Sequence, residues 1–129
     1  MSAIRRSNSV LIIEDDPSTR DLYRQALAAA GYSVTAVSDG LDALRKIEMV
    51  TPDVVVLDLM LPRVAGLDVY YEMRAMPATR TTPVVVVTGA DVEGLEAAGI
   101  QLLLRKPIYP DLLVAAVEQL LDGRSRATP

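Results

Sequence analysis

Three runs of consecutive apolar residues restrict this chain more than any other feature: Val10-Leu11-Ile12-Ile13, Val54-Val55-Val56-Leu57 and Val84-Val85-Val86-Val87. All are rich in β-branched or branched aliphatic side chains, which fit a pleated backbone. A strand that is apolar at successive positions has both faces covered, as in the centre of a parallel sheet. Parallel neighbours cannot be joined by a tight hairpin, so each run needs a crossover after it. The stretches between the runs carry apolar residues at helical spacing and supply those crossovers.

Asp16-Pro17 reads as a helix start, with Asp16 as N-cap and Pro17 in the first helical position. Leu22, Tyr23, Ala26, Leu27 and Ala30 follow at helical spacing, and Gly31 supplies a C-cap. A strand over Ser33 to Val37 leads through Asp39-Gly40 into a helix with Leu41, Leu44 and Ile47 on one face, ended by Thr51-Pro52. A third helix runs from about Gly66 to Ala75, closed by Pro77. A fourth strand, Pro83 to Val87, precedes a short helix over Asp91 to Ala98. A fifth strand, Ile100 to Leu104, leads into a last helix, Pro110 to Leu121. Residues 1–9 form an N-terminal extension, 10–121 one domain, and 122–129 a polar tail expected to be disordered at its end. Five β–α units imply a parallel sheet with helices on both faces and right-handed crossovers.

Composition narrows the chemistry. The 129 residues suit one domain, which at this length buries about two thirds of its unfolded surface. There is no Phe or Trp, so the core is aliphatic. The absence of cysteine excludes disulfides and thiolate chemistry, and the absence of histidine removes the commonest general base and most zinc sites. Asp, Glu, Lys, Thr and the backbone remain, and their oxygens suit Mg²⁺ or Ca²⁺. A formal charge of −4 argues against direct nucleic-acid binding, and Arg5, Arg6, Arg124 and Arg126 are too few to reverse that. Neither a signal peptide nor a membrane-spanning run is present, so a soluble cytoplasmic protein is expected.

In an open α/β sheet, ligands gather beyond the carboxyl ends of the strands. The first strand ends in Glu14-Asp15-Asp16, the third in Asp58, the fourth in Thr88-Gly89-Ala90, and the fifth in Arg105-Lys106-Pro107. The second ends in Ser38-Asp39, at the sheet edge. Two carboxylates about 5 Å apart repel by roughly 3 kcal/mol at an effective dielectric near 20. Three such groups need a compensating cation, a raised pKa, or both. An oxygen-only site suits Mg²⁺, a lysine is placed for a phosphoryl oxygen, and a carboxylate can itself act as nucleophile.

These segments resemble the response-regulator receiver family from about Val10 to Leu121. VLIIEDDP is similar to the family's first strand and acidic pair, Glu14 and Asp15. PDVVVLDLMLPRVAG matches the phosphoacceptor strand and loop, with the acceptor on Asp58. VVVVTGA puts the switch hydroxyl on Thr88, and LRKP gives Lys106 and a Lys106–Pro107 bond that is cis in relatives. The resemblance implies a doubly wound (βα)5, flavodoxin-like three-layer sandwich with a five-stranded parallel sheet in the order 2-1-3-4-5. It implies Mg²⁺ held by Asp15, Asp58 and the backbone carbonyl of Met60, with Glu14 acting through water. It further implies that Lys106 and Thr88 contact the phosphoryl oxygens. The implied donor is a phosphohistidine on a sensor histidine kinase or a histidine phosphotransfer protein. The implied output is an altered contact with a downstream protein, made by a monomer or weak dimer rather than by a turnover enzyme.

Three positions depart from that pattern. Leu103 stands where relatives often carry a switching aromatic. The interval from Thr88 to Lys106 is shorter by about four residues, near one helical turn, lost from the helix over 91–98. Ala65 stands where an acidic or amide residue often precedes the glycine. Leu103 and the shortened fourth helix support, as the alternative, a phosphorylation-independent (pseudo-receiver) interaction domain. Other residues have plainer readings: Asp16, Asp39 and Asp91 as caps or turn residues, Gly66 as a turn glycine needing positive φ, and the Met60, Leu61 and Leu103 side chains as packing. An enzyme on the same fold is disfavoured, because G-x-G-x-x-G is absent and Gly89 to Gly94 lacks a P-loop's Lys-Ser/Thr. Asp58-Leu59-Met60 likewise lacks the D-x-D acid–base pair of aspartate-nucleophile phosphatases. No DNA-binding module follows the domain in these 129 residues.

Overall fold

Strands β1 (Ser9–Ile13), β2 (Ser33–Val37), β3 (Val54–Leu57), β4 (Val84–Thr88) and β5 (Leu102–Arg105) form one parallel sheet. Their spatial order is β2-β1-β3-β4-β5, as expected for the doubly wound fold. This computed structural model describes residues 8–89, 99–100 and 102–127. Four helices are present among them: α1 (Pro17–Ala29), α2 (Gly40–Val50), α3 (Gly66–Ala75) and α4 (Pro110–Ala127). The short helix expected over Asp91 to Ala98 lies outside the described residues, as do Arg5 and Arg6. None of the described helices is long and apolar enough to cross a membrane.

Alternation along the strands divides the core in two. Val10, Ile12, Val54, Val56, Val85 and Val87 face α1 and α4, meeting Tyr23, Leu27, Leu113 and Val117. Leu11, Ile13, Val55, Leu57, Val84 and Val86 face α2 and α3, meeting Ala43, Ile47, Val69, Tyr70 and Met73. Successive side chains point to opposite faces, so a central strand must be apolar throughout. Each fully buried Leu or Val contributes roughly 1.5–3 kcal/mol by leaving water.

Local chemistry sets the helix limits. The Asp16 carboxylate accepts the Thr19 N–H at 2.8 Å, and Pro17 follows it. Gly31, at φ 101°, takes the chain out of α1 in a left-handed conformation that glycine adopts without a Cβ clash. Asp39 caps α2 by accepting the Asp42 N–H at 2.9 Å, and Thr51 ends it at φ 46°. Met76, extended before Pro77, ends α3.

Several boundaries differ from the expectation. β1 begins at Ser9, one residue before the apolar run, because Ser9 and Asp53 exchange hydrogen bonds. β4 is Val84–Thr88 rather than Pro83 to Val87, since proline has no N–H for the ladder. β5 is Leu102–Arg105 rather than Ile100 to Leu104: its ladder runs from Leu102 opposite Val85 to Arg105 opposite Thr88, while Ile100 packs against the core ahead of it. The last helix continues to Ala127, beyond Leu121 where the apolar spacing stops. Of the apolar residues at helical spacing in α1, Leu22 and Ala30 are exposed.

Candidate functional site

At the carboxyl edge of the sheet, neighbouring strands release their acidic residues side by side. Ile13 of β1 pairs with Leu57 of β3, so the next residues, Glu14 and Asp58, leave the sheet together. The Asp58 N–H donates to the Ile13 carbonyl at 3.0 Å, and the Glu14 N–H to the Val37 carbonyl at 3.1 Å. Both acids are buried, 2% and 4% exposed, whereas Asp15 is exposed. Burial of two carboxylates is tolerated because polar partners surround them.

Lys106 is the main partner. Its ammonium donates to Asp58 Oδ2 at 2.8 Å and to Glu14 Oε1, bridging the ends of β1 and β3 from β5. Its N–H donates to the Thr88 carbonyl at 3.0 Å, and the Lys106–Pro107 peptide is cis. Glu14 Oε2 accepts the Asp16 N–H at 3.1 Å, and Asp58 Oδ1 accepts the Met60 N–H at 2.9 Å. Thr88 is fully buried at the end of β4.

The electrostatics follow from this packing. Burial raises the Glu14 carboxyl, more than the bonds from Lys106 and the Asp16 N–H lower it, and the Asp58 charge adds to the rise. For Lys106, burial works against the charge, but the bonds and attraction from Asp58 and Glu14 together outweigh it, leaving the ammonium above the usual lysine range. Asp16 is held below the carboxylate range by its bonds to Thr19, consistent with its role as a cap.

Glu14, Asp15 and Asp58 each place a carboxylate oxygen within 4.8 Å of the others. Three negative groups face one lysine there, and an all-oxygen donor set matches a hard divalent cation. The cluster can therefore hold a metal ion. The residues read from sequence thus converge: Glu14, Asp58 and Lys106 in direct contact, Asp15 beside them, and Thr88 joined through the backbone of Lys106.

Other readings need correction. The Met60 side chain does not pack; it is 63% exposed, and only its backbone engages the site. Gly66 does not have positive φ, which among the described glycines belongs to Gly31 and Gly99. Its side chain is excluded for another reason: a Cβ there would overlap the Asp58 carbonyl oxygen and the Leu59 Cα. Gly40 is constrained likewise by the Val64 carbonyl. Ala65, at the N-cap of α3, makes no side-chain cap bond. Leu103 is half-buried and packs with the residues between the sheet and α2 and α3. Asp91 lies outside the described residues.

Two arginines escaped the sequence reading. Arg20, in the first turns of α1, donates to the carbonyls of Glu14 at 3.0 Å and Asp15 at 3.3 Å. Arg63 binds Asp39 at 2.8 Å, and Asp39 is held below its ordinary pKa first by the Asp42 N–H and then by Arg63. The position of Arg20, one turn into a helix that follows an acidic pair, was a usable signal. Nothing in the sequence marks the Arg63 contact.

A family model described as "Response regulator receiver domain" matches residues 10–118. The chain belongs to this family. The receiver is 38% identical over 121 residues to the response regulator MprA of Mycobacterium sp. (strain KMS), covering 90% of this chain and 51% of that protein. It is 32% identical over 127 residues to the alkaline phosphatase synthesis transcriptional regulatory protein PhoP of Bacillus subtilis (strain 168), covering 95% and 52%. The chain thus spans about half the length of these curated relatives. Among solved structures, the chemotaxis response regulator CheY4 of Vibrio cholerae superposes with a TM-score of 0.82 at 26% identity, covering 90% of this chain and 100% of that one. A CheY-like receiver domain protein from Methanospirillum hungatei JF-1 reaches 0.88 at 23% identity, covering 95% and 99%, which bears on the fold alone. A receiver domain is a signalling module of two-component systems, not a turnover enzyme.

Proposed function

We propose that this receiver accepts a phosphoryl group on Asp58 from a phosphohistidine of a partner histidine kinase or phosphotransfer protein, in a Mg²⁺-dependent reaction. The observation that carries the reading is the buried Asp58 carboxylate, bonded to Lys106 and within 4.8 Å of Glu14 and Asp15. An Asp58 carboxylate oxygen attacks phosphorus, the phosphorus–nitrogen bond breaks, and its electron pair leaves on the imidazole nitrogen of the donor. Lys106, already directed at Asp58, neutralises charge on the phosphoryl oxygens, and the Thr88 hydroxyl contacts them. Asp15, Asp58 and the Met60 carbonyl would hold Mg²⁺ directly, with Glu14 acting through water. Mg²⁺ bound there would supply further charge neutralisation of the transferring group.

The chain has no histidine, so within this pair it acts only as acceptor. Its output is a change in protein–protein contacts, in the cytoplasm, with Leu103 moving by packing rather than by rotation of an aromatic ring. The three carboxylates and Lys106 favour this reading over an interaction domain indifferent to phosphorylation. Incubation with Mg²⁺ and acetyl phosphate, followed by intact mass, tests it. Wild type should gain one phosphoryl group, lost on chelation of Mg²⁺ from the reaction and absent in Asp58→Ala. An unchanged wild-type mass, or an equal gain in Asp58→Ala, refutes it.

A further inference from the structure

Between β3 and α3 the chain makes an open loop, residues 59–65, whose backbone adjoins the acidic cluster through the Met60 N–H. The loop lies close over two glycines. A Cβ on Gly40 would overlap the Val64 carbonyl, and one on Gly66 would overlap that of Asp58. Its outer half is tied to the start of α2 by a long Gly40 N–H to Pro62 carbonyl bond, 3.4 Å, and by Arg63. Arg63 reaches Asp39 at 2.8 Å and Asp42 at 3.7 Å, the one set of ion pairs among the described residues that joins this loop to another element. Arg63 does so from φ 67°, a left-handed conformation that a glycine would adopt more easily. Asp39 is 7% exposed and already bonded to the Asp42 N–H, so the anchor at the other end is rigid.

We propose that Arg63 is a positioning residue for metal binding: its ion pair with Asp39 fixes the loop backbone and so sets where the Met60 carbonyl stands relative to Asp15 and Asp58. This rests on the reading of the acidic cluster as a Mg²⁺ site. A hard cation tolerates little error in the placement of its oxygens, so a loosened carbonyl weakens binding without altering the acids themselves. An arginine in this left-handed position, unlike a glycine, reaches Asp39.

The test is Mg²⁺ titration by calorimetry and amide NMR of wild type, Arg63→Gly, Asp39→Asn and Arg63→Lys. Arg63→Gly accepts the left-handed backbone but loses the tether; Asp39→Asn keeps the cap of α2 but loses the charge. Both should raise the Mg²⁺ dissociation constant about threefold to tenfold, at or below the lower limit for groups that support a metal ligand directly, and Arg63→Lys should recover part of it. The rate of acetyl phosphate labelling at saturating Mg²⁺ should be unchanged. Unaltered Mg²⁺ affinity in the folded variants, with lowered melting temperature alone, makes the contact merely structural and overturns the proposal. If Arg63→Gly does not fold, Asp39→Asn decides in the same way. A wild type that neither binds Mg²⁺ nor gains mass removes the phosphoacceptor reading and this proposal together; binding by wild type with unaltered variants removes this proposal alone.

Discussion

Replacing Lys106 by Met keeps the aliphatic stem and deletes the charge that Glu14 and Asp58 share. If both carboxylates stay ionised with oxygens within 4.8 Å of each other, their repulsion is at least about 3.5 kcal/mol at an effective dielectric of 20. The variant can avoid that by protonating one acid. From the ordinary glutamate value of 4.5, protonation at pH 7.0 costs about 3.4 kcal/mol, at 1.36 kcal/mol per pH unit. Protonation is the cheaper route, so the repulsive loss is capped at about 3.4 kcal/mol. Lys106 is 24% exposed, and solvent screening brings the expected loss to about 2–3 kcal/mol.

The pH dependence carries the sign. In the variant the folded carboxyl pKa lies above the unfolded value, so the native state binds more protons between those two values. Stability then falls as pH rises through that window, and the penalty is absent below about 4.5. Urea unfolding followed by circular dichroism should show a loss of about 2–3 kcal/mol at pH 7.0, equivalent to about 10 °C in melting temperature for a domain of this size. At pH 4.5 the loss should shrink below about 1 kcal/mol. Equal losses at the two pH values would mean that Lys106 acts through packing, and the electrostatic account of the site would fail.

Smaller perturbations test the local geometry. Ala65→Ser supplies the missing cap of α3 and should raise unfolding free energy by about 0.5–1 kcal/mol, read from the urea midpoint. Thr51→Gly relieves a β-branched residue at φ 46°, worth about 1–2 kcal/mol, against about 0.5–1 kcal/mol of extra unfolded-chain freedom. A net gain of about 0.5–1 kcal/mol is expected from thermal melting, and a loss would contradict the strain assignment. Gly66→Ala should cost about 1–3 kcal/mol and shift the Met60 amide resonance, because its Cβ meets the Asp58 carbonyl. Gly123→Ala, with nothing within 4 Å and inside α4, should instead stabilise by about 0.5–1 kcal/mol in the same assay.

The features legible in the sequence are those that local pattern and chemistry determine. Asp16 and Asp39 read as caps because Asp before a helical repeat has an N–H to satisfy, and both accept one. Asp58 stood out because a carboxylate after four apolar residues is costly to bury alone, and Lys106 is the partner it requires. Less legible were features that depend on two distant segments meeting. The reason for Gly66 lies in the carbonyl of Asp58, eight positions earlier, not in its own dihedral. Met60 looked like packing because methionine usually is, yet the loop turns it to solvent while its N–H points inward. Arg63 was invisible because neither its conformation nor Asp39, its partner, is encoded by spacing. The end of α4 is not legible for a different reason: periodicity reports the buried face, and a helix can continue past it.

The same alternation that dictates a parallel sheet also explains why the site exists. In an antiparallel sheet, the residues after successive strands fall at opposite edges. In a parallel one they all fall at the same edge, whatever their separation along the chain. Register does the rest: Ile13 opposite Leu57 sets Glu14 beside Asp58, and Thr88 opposite Arg105 brings Lys106 onto the Thr88 carbonyl. A slip of one residue in β3 would turn its apolar side chains to the wrong layer as well as displace Asp58. Burial of the valines therefore enforces the position of the carboxylate. The three acids and one lysine so collected carry a formal charge of −2, and Arg20 offers its guanidinium to backbone carbonyls rather than to their carboxylates. An excess of negative oxygen, buried on two of its three members, is a poor way to stabilise a fold and a good way to hold a hard cation.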